Sequence, residues 1–268
     1  MSGYLSDFAE NKILDHILKI ASYSRPDALF VGLCDADPTD AGTGGTISEP
    51  SGGDAYTRES CDDWTEAASR ATASSTAIVF PEATGGWGVM THFAILDTSV
   101  LATGNIIAFG PITPNKTIAT GDIATVDAGD LDVSVDAAGA SDYMANAMLD
   151  HLFYDTPLAQ PGAIFIALCT ATVLDNDTGT TISEPGENYA RIQHDDWKIA
   201  IAGASSNSGT VVFDKATGGT WGTIAHFALC ETLVTGNLLL HAACTTPKQI
   251  VVDDIAQFAD SSIDVTAD

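Results

Sequence analysis

The chain has 268 residues, 45% of them apolar, and 36 acidic residues against 10 basic ones give a formal charge of −26. That apolar content excludes intrinsic disorder, and the length suits two domains, each able to bury a core without disulfides or metals. The charge argues against nucleic acid and anionic membranes as partners, because phosphate binding needs Lys and Arg.

Taken in chain order, Met1 to Asp7 lacks a basic region followed by an apolar stretch. No secretory signal is expected, no apolar run is long enough to span a bilayer, and synthesis in a host cytoplasm follows. Asp7 and Glu10 have capping-box spacing, and Ile13, Leu14, Ile17 and Leu18 form one apolar stripe, which predicts a helix. Pro26 ends helical character and hands over to a strand at 29–34. A Gly/Asp/Thr/Pro-rich loop covers 35–54. Further strands are expected at 77–80, 91–96, 105–109, 123–126 and 131–135. The junction 136–140 is too short to be a swinging tether.

The chain then repeats itself. Leu14-Asp15-His16 returns 135 residues on as Leu149-Asp150-His151, and Leu33-Cys34 as Leu168-Cys169. Thr46 to Pro50 returns as Thr181 to Pro185, and Asp62-Asp63-Trp64 as Asp195-Asp196-Trp197. Ala83 to Gly88 returns as Ala216 to Gly222, His92-Phe93-Ala94 as His226-Phe227-Ala228, and Thr103-Gly104-Asn105 as Thr235-Gly236-Asn237. The last strand, Asp132 to Asp136, returns as Asp264 to Asp268. The offset drifts where loops would lie, as duplication of a folded unit requires. A second helix is expected from Asp142 through Met144, Met148, Leu149 and Leu152, with a strand at 164–169 after Pro161. The reading is mainly β: two tandem antiparallel β-sandwich (jelly-roll-like) domains, 1–137 and 138–268, each preceded by a short helix. An autonomous domain would let halves split near Gly139 each fold.

Candidate sites are sparse. Five cysteines (Cys34, Cys61, Cys169, Cys230, Cys244), an odd number without CxxC spacing, read as free thiols, and Cys34 and Cys169 as buried ones. His16 matches His151 and His92 matches His226, but no HxxxH or HExxH spacing supports metal binding. Asp35, Asp37 and Asp40 with Gly42, and Asp175 and Asp177 with Gly179, faintly resemble calcium loops yet break EF-hand spacing. They read as solvated acidic turns. The runs Thr43 to Thr46 and Ala83 to Gly88 lack the Lys of a phosphate loop and read as turns, with Trp87 and Trp221 packed beside them. No nucleophile elbow occurs. Trp64, Trp197, Tyr56 and Tyr189 could stack on sugar faces, or else belong to the core. No catalytic, cofactor-binding or metal residue is assigned, no cofactor is expected, and the protein reads as not an enzyme.

Five segments carry a resemblance: Asn11 to His16, Leu29 to Cys34, Pro38 to Thr46, Ala83 to Gly88 with Thr91 to Ile95, and Thr103 to Ile107. Together with the second copy, they resemble a family of tailed-phage virion structural proteins usually labelled tail fibre or baseplate proteins. The family usually carries one copy of the unit. The resemblance implies a non-enzymatic virion protein. An Asp-rich, Lys-poor surface suits high salt, where the screening length falls from about 10 Å at 0.1 M to about 3 Å at 1 M, so a halophilic or marine host is expected. The charge also disfavours a lining position against packaged DNA. A surface-exposed capsid decoration or turret is the first reading, a tail fibre or baseplate component touching host glycan the second, and a free carbohydrate-binding module the third. Sheet edges that need covering imply a homo-oligomer, with the major capsid protein or tail and baseplate proteins as neighbours.

Overall fold

The computed structural model describes residues 1–50, 52–136 and 139–267. The junction 136–140 and the boundary 137/138 thus fall partly outside the described residues, as do Ser51 of the first loop and Asp268 of the last strand.

The first repeat runs β1 (Ser2–Leu5), α1 (Asp7–Ile17), β2 (Phe30–Cys34), β3 (Glu59–Ser60), β4 (Ala71–Ala73), β5 (Ile78–Glu82), β6 (Gly88–Leu96), β7 (Ile106–Ile118), β8 (Ile123–Val126) and β9 (Asp132–Ser134). Seven strands make one sheet in the order β3-β2-β6-β7-β1-β9-β4, and β5 pairs with β8. The second repeat runs α2 (Asp142–Leu149), a π-helical turn at Asp150–Tyr154, β10 (Phe165–Cys169), β11 (Ile192–Gln193), β12 (Ala204–Ser206), β13 (Val211–Lys215), β14 (Gly222–Cys230), β15 (Leu238–Ile250), β16 (Ile255–Phe258) and β17 (Asp264–Thr266). Its sheets are β11-β10-β14-β15, β12-β17 and β13-β16. These are two mainly β repeats, each with a helix ahead of its first long strand; in the first repeat the short strand β1 precedes that helix.

Three local features differ from the sequence pattern. First, β1 is a strand, and it pairs in parallel with β9 through Ser2 with Asp132 and Gly3 with Val133. A four-residue strand leaves little periodicity to read. Gly3 is required there: a Cβ would lie 2.8 Å from the Phe109 carbonyl oxygen and from the Phe93 ring. Second, β7 continues nine residues past the expected end at 109, through Pro111 and Pro114. The ladder shifts register between Met90 and His92, beside Pro111, and such a bulge is where a sheet tolerates proline. Third, the helix caps are Ser6 and Ser141, not Asp7 and Asp142. Both serines are fully buried. Ser6 Oγ accepts from the Ala9 N–H and donates to the Ile106 carbonyl. Ser141 Oγ accepts from the Met144 N–H at 3.1 Å and donates to the Leu238 carbonyl. Each cap therefore also ties its helix to the long strand.

The two compact units are not contiguous stretches of chain. One comprises Met1–Glu10, Ser24–Asp136 and Asn146–Leu158; the other comprises Asn11–Tyr23, Ala137–Ala145 and Ala159–Asp268. Each helix begins in its own repeat's unit and ends in the other. In the first unit, Asp150 Oδ1 accepts from the Ala67 N–H at 2.7 Å and Asn146 Oδ1 from the Arg70 N–H at 2.8 Å. The Phe153 ring lies 4.7 Å from the Trp64 ring. In the second unit, Asp15 Oδ1 accepts from the Ala200 N–H at 2.8 Å and Asn11 Oδ1 from the Gly203 N–H at 3.0 Å. Lys19 pairs with Asp195 at 3.0 Å. The bonds match residue for residue, because Asn11 and Asp15 recur as Asn146 and Asp150. The apolar helix stripes, Ile13, Leu14 and Ile17 in one unit and Met148, Leu149, Leu152 and Phe153 in the other, are fully buried.

Candidate functional site

The densest polar arrangement in each unit is built on an arginine that the sequence reading passed over. Arg58 follows the long first loop and its side chain has no exposure. It meets Glu49 through Nε at 3.0 Å and Nη2 at 2.7 Å. Its remaining donors reach the carbonyls of Thr98 (3.0 Å), Val100 (3.1 Å), Thr103 (3.0 Å) and Gly44 (3.3 Å). Tyr56 completes the knot: its hydroxyl donates to Glu49 at 2.9 Å and accepts from the Leu33 N–H at 2.8 Å. Burial, the Glu49 charge and the hydrogen bond to Glu49 push the Tyr56 phenol far above its ordinary range, against the lowering effect of the Leu33 N–H, so it stays protonated. Arg191, Glu184 and Tyr189 rebuild the knot in the second unit, with Arg191 on the carbonyls of Thr232, Thr235 and Gly179. Tyr189 Oη accepts from the Leu168 N–H at 2.7 Å. An isolated Arg in a strand-like run gives no periodic signal. Its recurrence 133 residues on, nine residues after the Ser-Glu-Pro run's Glu49 in one copy and seven after Glu184 in the other, is the clue the sequence offers.

Of the four aromatic residues that could form a sugar platform, Tyr56, Trp64 and Trp197 are core and Tyr189 is half-buried. Tyr56 and Trp64 are 1% and 4% exposed, and Trp197 is 7% exposed. Tyr56 sits edge-on to Trp87, as Tyr189 does to Trp221, with ring centroids 5.2 Å apart in both. Trp87 and Trp221 do pack beside the glycine-rich turns, where Trp87 Nε1 donates to the Asp54 carbonyl.

The matched pair His16 and His151 serves the chain. His16 Nδ1 accepts from the Tyr23 N–H at 3.0 Å, and His151 Nδ1 from the Leu158 N–H at 2.9 Å, so each closes the turn after its helix. His92 Nδ1 lies 2.9 Å from the Thr91 hydroxyl. His241 Nε2 lies 3.1 Å from Asp175. Burial lowers the His241 pKa and outweighs the raising effect of Asp175, so the neutral ring with Nε2–H donating is the form held.

Among the described residues, Asp7, Glu10 and Asp40 bring three carboxylate oxygens within 4.8 Å of one another. Oxygen ligands of this kind suit a hard cation. Asp40 belongs to the first acidic loop, but Asp35 and Asp37 stand outside the group, and Asp37 instead accepts from the Thr39 N–H at 2.9 Å. The second copy cannot rebuild the trio, because Ala145 replaces Glu10. There Asp177 caps the Leu174 N–H, and Asp175 meets His241.

All five cysteines are free. Burial and nearby carboxylates push Cys169 up to about 12 and Cys230 to about 11, so neither supplies a thiolate.

One open groove recurs in both units. In the first, about 420 Å³ lies between β8 and the far half of the β6–β7 hairpin, floored by Leu33, Phe80, Met90 and Ile112. In the second, about 350 Å³ lies between β16 and the far half of β14–β15, floored by Leu168, Ile224, Phe227 and Phe258. Lys116 lines one and Lys248 the other.

A family model described as Podophage GP4 fiber I protein gp80 matches the chain twice, over residues 4–134 and 139–266. No curated protein matches it.

Proposed function

Because the chain belongs to the Podophage GP4 fiber I protein gp80 family, once in each repeat, we propose that it is a non-catalytic building block of a virion fibre, exposed on the particle exterior. That it is a structural protein of a phage virion follows from the family. The double match supports the finer reading, since both repeats match a fibre-protein family model. The polar knots support it as well. The donors of Arg58 and Arg191 are spent on the protein's own loops, which serves rigidity. Charge supports an exterior place: a subunit of net charge −26 beside packaged phosphates would face strong repulsion. The same charge suits a salt-rich medium. The neighbours would be further copies of this chain and other tail or baseplate proteins, with host glycan within reach of an exposed fibre.

A capsid decoration or turret remains the second reading, and its support is the charge, which fits any exterior position equally. Quantitative mass spectrometry of purified particles, with gold-labelled antibody, separates the two. A low copy number with label confined to the tail is expected. Label across the capsid lattice would overturn the fibre reading, and label accessible only in opened particles would overturn both.

A further inference from the structure

We propose that the recurring groove in each unit binds a small organic carboxylate whose body has an apolar face. The two copies have diverged in loops, yet the groove walls keep Leu33 as Leu168, Ile118 as Ile250 and Ala124 as Ala256. Strand register proves the equivalence of the lysines. Lys116 faces Met90 across β6–β7, and Lys248 faces Ile224 across β14–β15.

The lysines are the anomaly. The chain has six lysines, and this is the one lysine position that both repeats retain. Lys19, Lys198 and Lys215 each pair with an aspartate. Among the described residues, Lys116 and Lys248 have no carboxylate within ion-pair distance, although acidic residues outnumber basic ones by 36 to 10. A cation left unpaired twice at the same rim of a groove with an apolar floor offers itself to an anion from outside. One ammonium, a compact point charge, matches one carboxylate rather than a planar or multiply charged group. The threonines beside it, Thr113 and Thr117 in one groove and Thr245 and Thr246 in the other, add hydroxyls for a polar edge. Volumes of about 350 and 420 Å³ lie within the range of small-molecule sites.

The two grooves are not equal. Asp127 and Asp130 line the first, and Ala259 and Ser262 take their places in the second, which has no acidic lining residue. The second groove is therefore the stronger anion site. This inference goes beyond the fibre reading and is independent of where the protein sits on the particle.

The test is amide NMR of the full chain at constant salt, titrated with four probes: glucuronate, hexanoate, and the uncharged glucose and hexanol. Glucuronate or hexanoate should shift amides of Thr245 to Ile250, with affinity at least about tenfold above its uncharged partner. Lys248→Gln should lose about tenfold, Lys248→Arg should retain most binding, and Lys116→Gln should cost less. A preference for glucuronate identifies a saccharide acid, and a preference for hexanoate an aliphatic one. The proposal fails if no probe shifts these amides, if uncharged probes match the anions, or if Lys248→Gln binds as the parent does. An unchanged melting temperature checks that the exposed Lys248 variants remain folded.

Discussion

Phe153 lies in the second repeat by sequence and in the first unit by packing, so its truncation shows which allegiance is physical. Its ring is fully buried and 4.7 Å from the Trp64 ring. Phe153→Ala removes the ring and opens a cavity, a change that costs about 3–5 kcal/mol. Loss of the aromatic pair falls within that figure. Against a domain stability of about 5–15 kcal/mol this is a large fraction. At 1.36 kcal/mol per decade it corresponds to a fall in amide protection of roughly two to three and a half orders of magnitude. Native-state hydrogen exchange read by mass spectrometry gives separate peptides for β4 and β9 in the first unit and for β12 and β17 in the second. The loss should appear in β4 and β9, with β12 and β17 retaining more protection. Ile17→Ala, at a site 1% exposed in the second unit, should give the mirror image with a loss of about 2–5 kcal/mol. If Phe153→Ala loosens β12 and β17 while β4 and β9 stay protected, the exchange of helical segments is refuted.

Arg58→Met should destabilise the protein by about 3–5 kcal/mol in denaturant titration, because Glu49 and four carbonyls lose their buried partner; pairing it with Glu49→Gln should recover part of that loss, and strict additivity would deny the knot. The melting temperature should rise steeply between low and molar salt, as self-repulsion among the 36 acidic residues is screened, and a flat response would remove the high-salt reading. His241 has a lowered pKa when folded, so the native state binds fewer protons than the unfolded chain. Its contribution is complete above the ordinary imidazole pKa of about 6.5 and is lost as pH falls below it. His241→Gln should flatten stability between about pH 7 and 5, and an unaltered slope would exclude this histidine. A disulfide reagent at about pH 8 should titrate Cys244, which is half-buried, well before the four fully buried thiols.

The β character, the duplication and the strands β2, β8 and β10 were legible because apolar runs and turn residues recur at fixed offsets. What was illegible has a common cause. β1 is too short for periodicity and depends on Gly3 fitting beneath Phe109. The continuation of β7 was masked by Pro111 and Pro114, whose cost is removed by a register shift visible only in three dimensions. Asp7 and Glu10 matched a capping box, yet Ser6 outcompetes Asp7 because its hydroxyl also reaches the β7 backbone. The aromatic residues Tyr56 and Trp64 fitted a surface platform as well as a core, and no residue pattern separates those fates. For the arginine knots, four acceptors of Arg58 and three of Arg191 are backbone carbonyls, to which any sequence contributes alike.

The exchange changes what a split protein should do. A cut near Gly139 leaves the first half with α1 but without Asn146, Asp150 and Phe153, and the second half with α2 but without Asn11, Asp15 and Lys19. The N–H groups of Ala67 and Arg70 lose their acceptors in one half, and those of Ala200 and Gly203 in the other. Each lost bond costs about 0.5–1.5 kcal/mol, before any loss of apolar burial. Two such losses together with the stripe of Met148, Leu149, Leu152 and Phe153 rival the stability of one unit. Separate halves should therefore be unfolded or self-paired, and mixing them should restore a 1:1 complex with the parent's circular dichroism. Size-exclusion chromatography with light scattering reads the outcome directly. Two folded monomers that ignore each other would mean that the helical segments return to their own repeats, and the exchange would then be a property of the joined chain rather than of the unit.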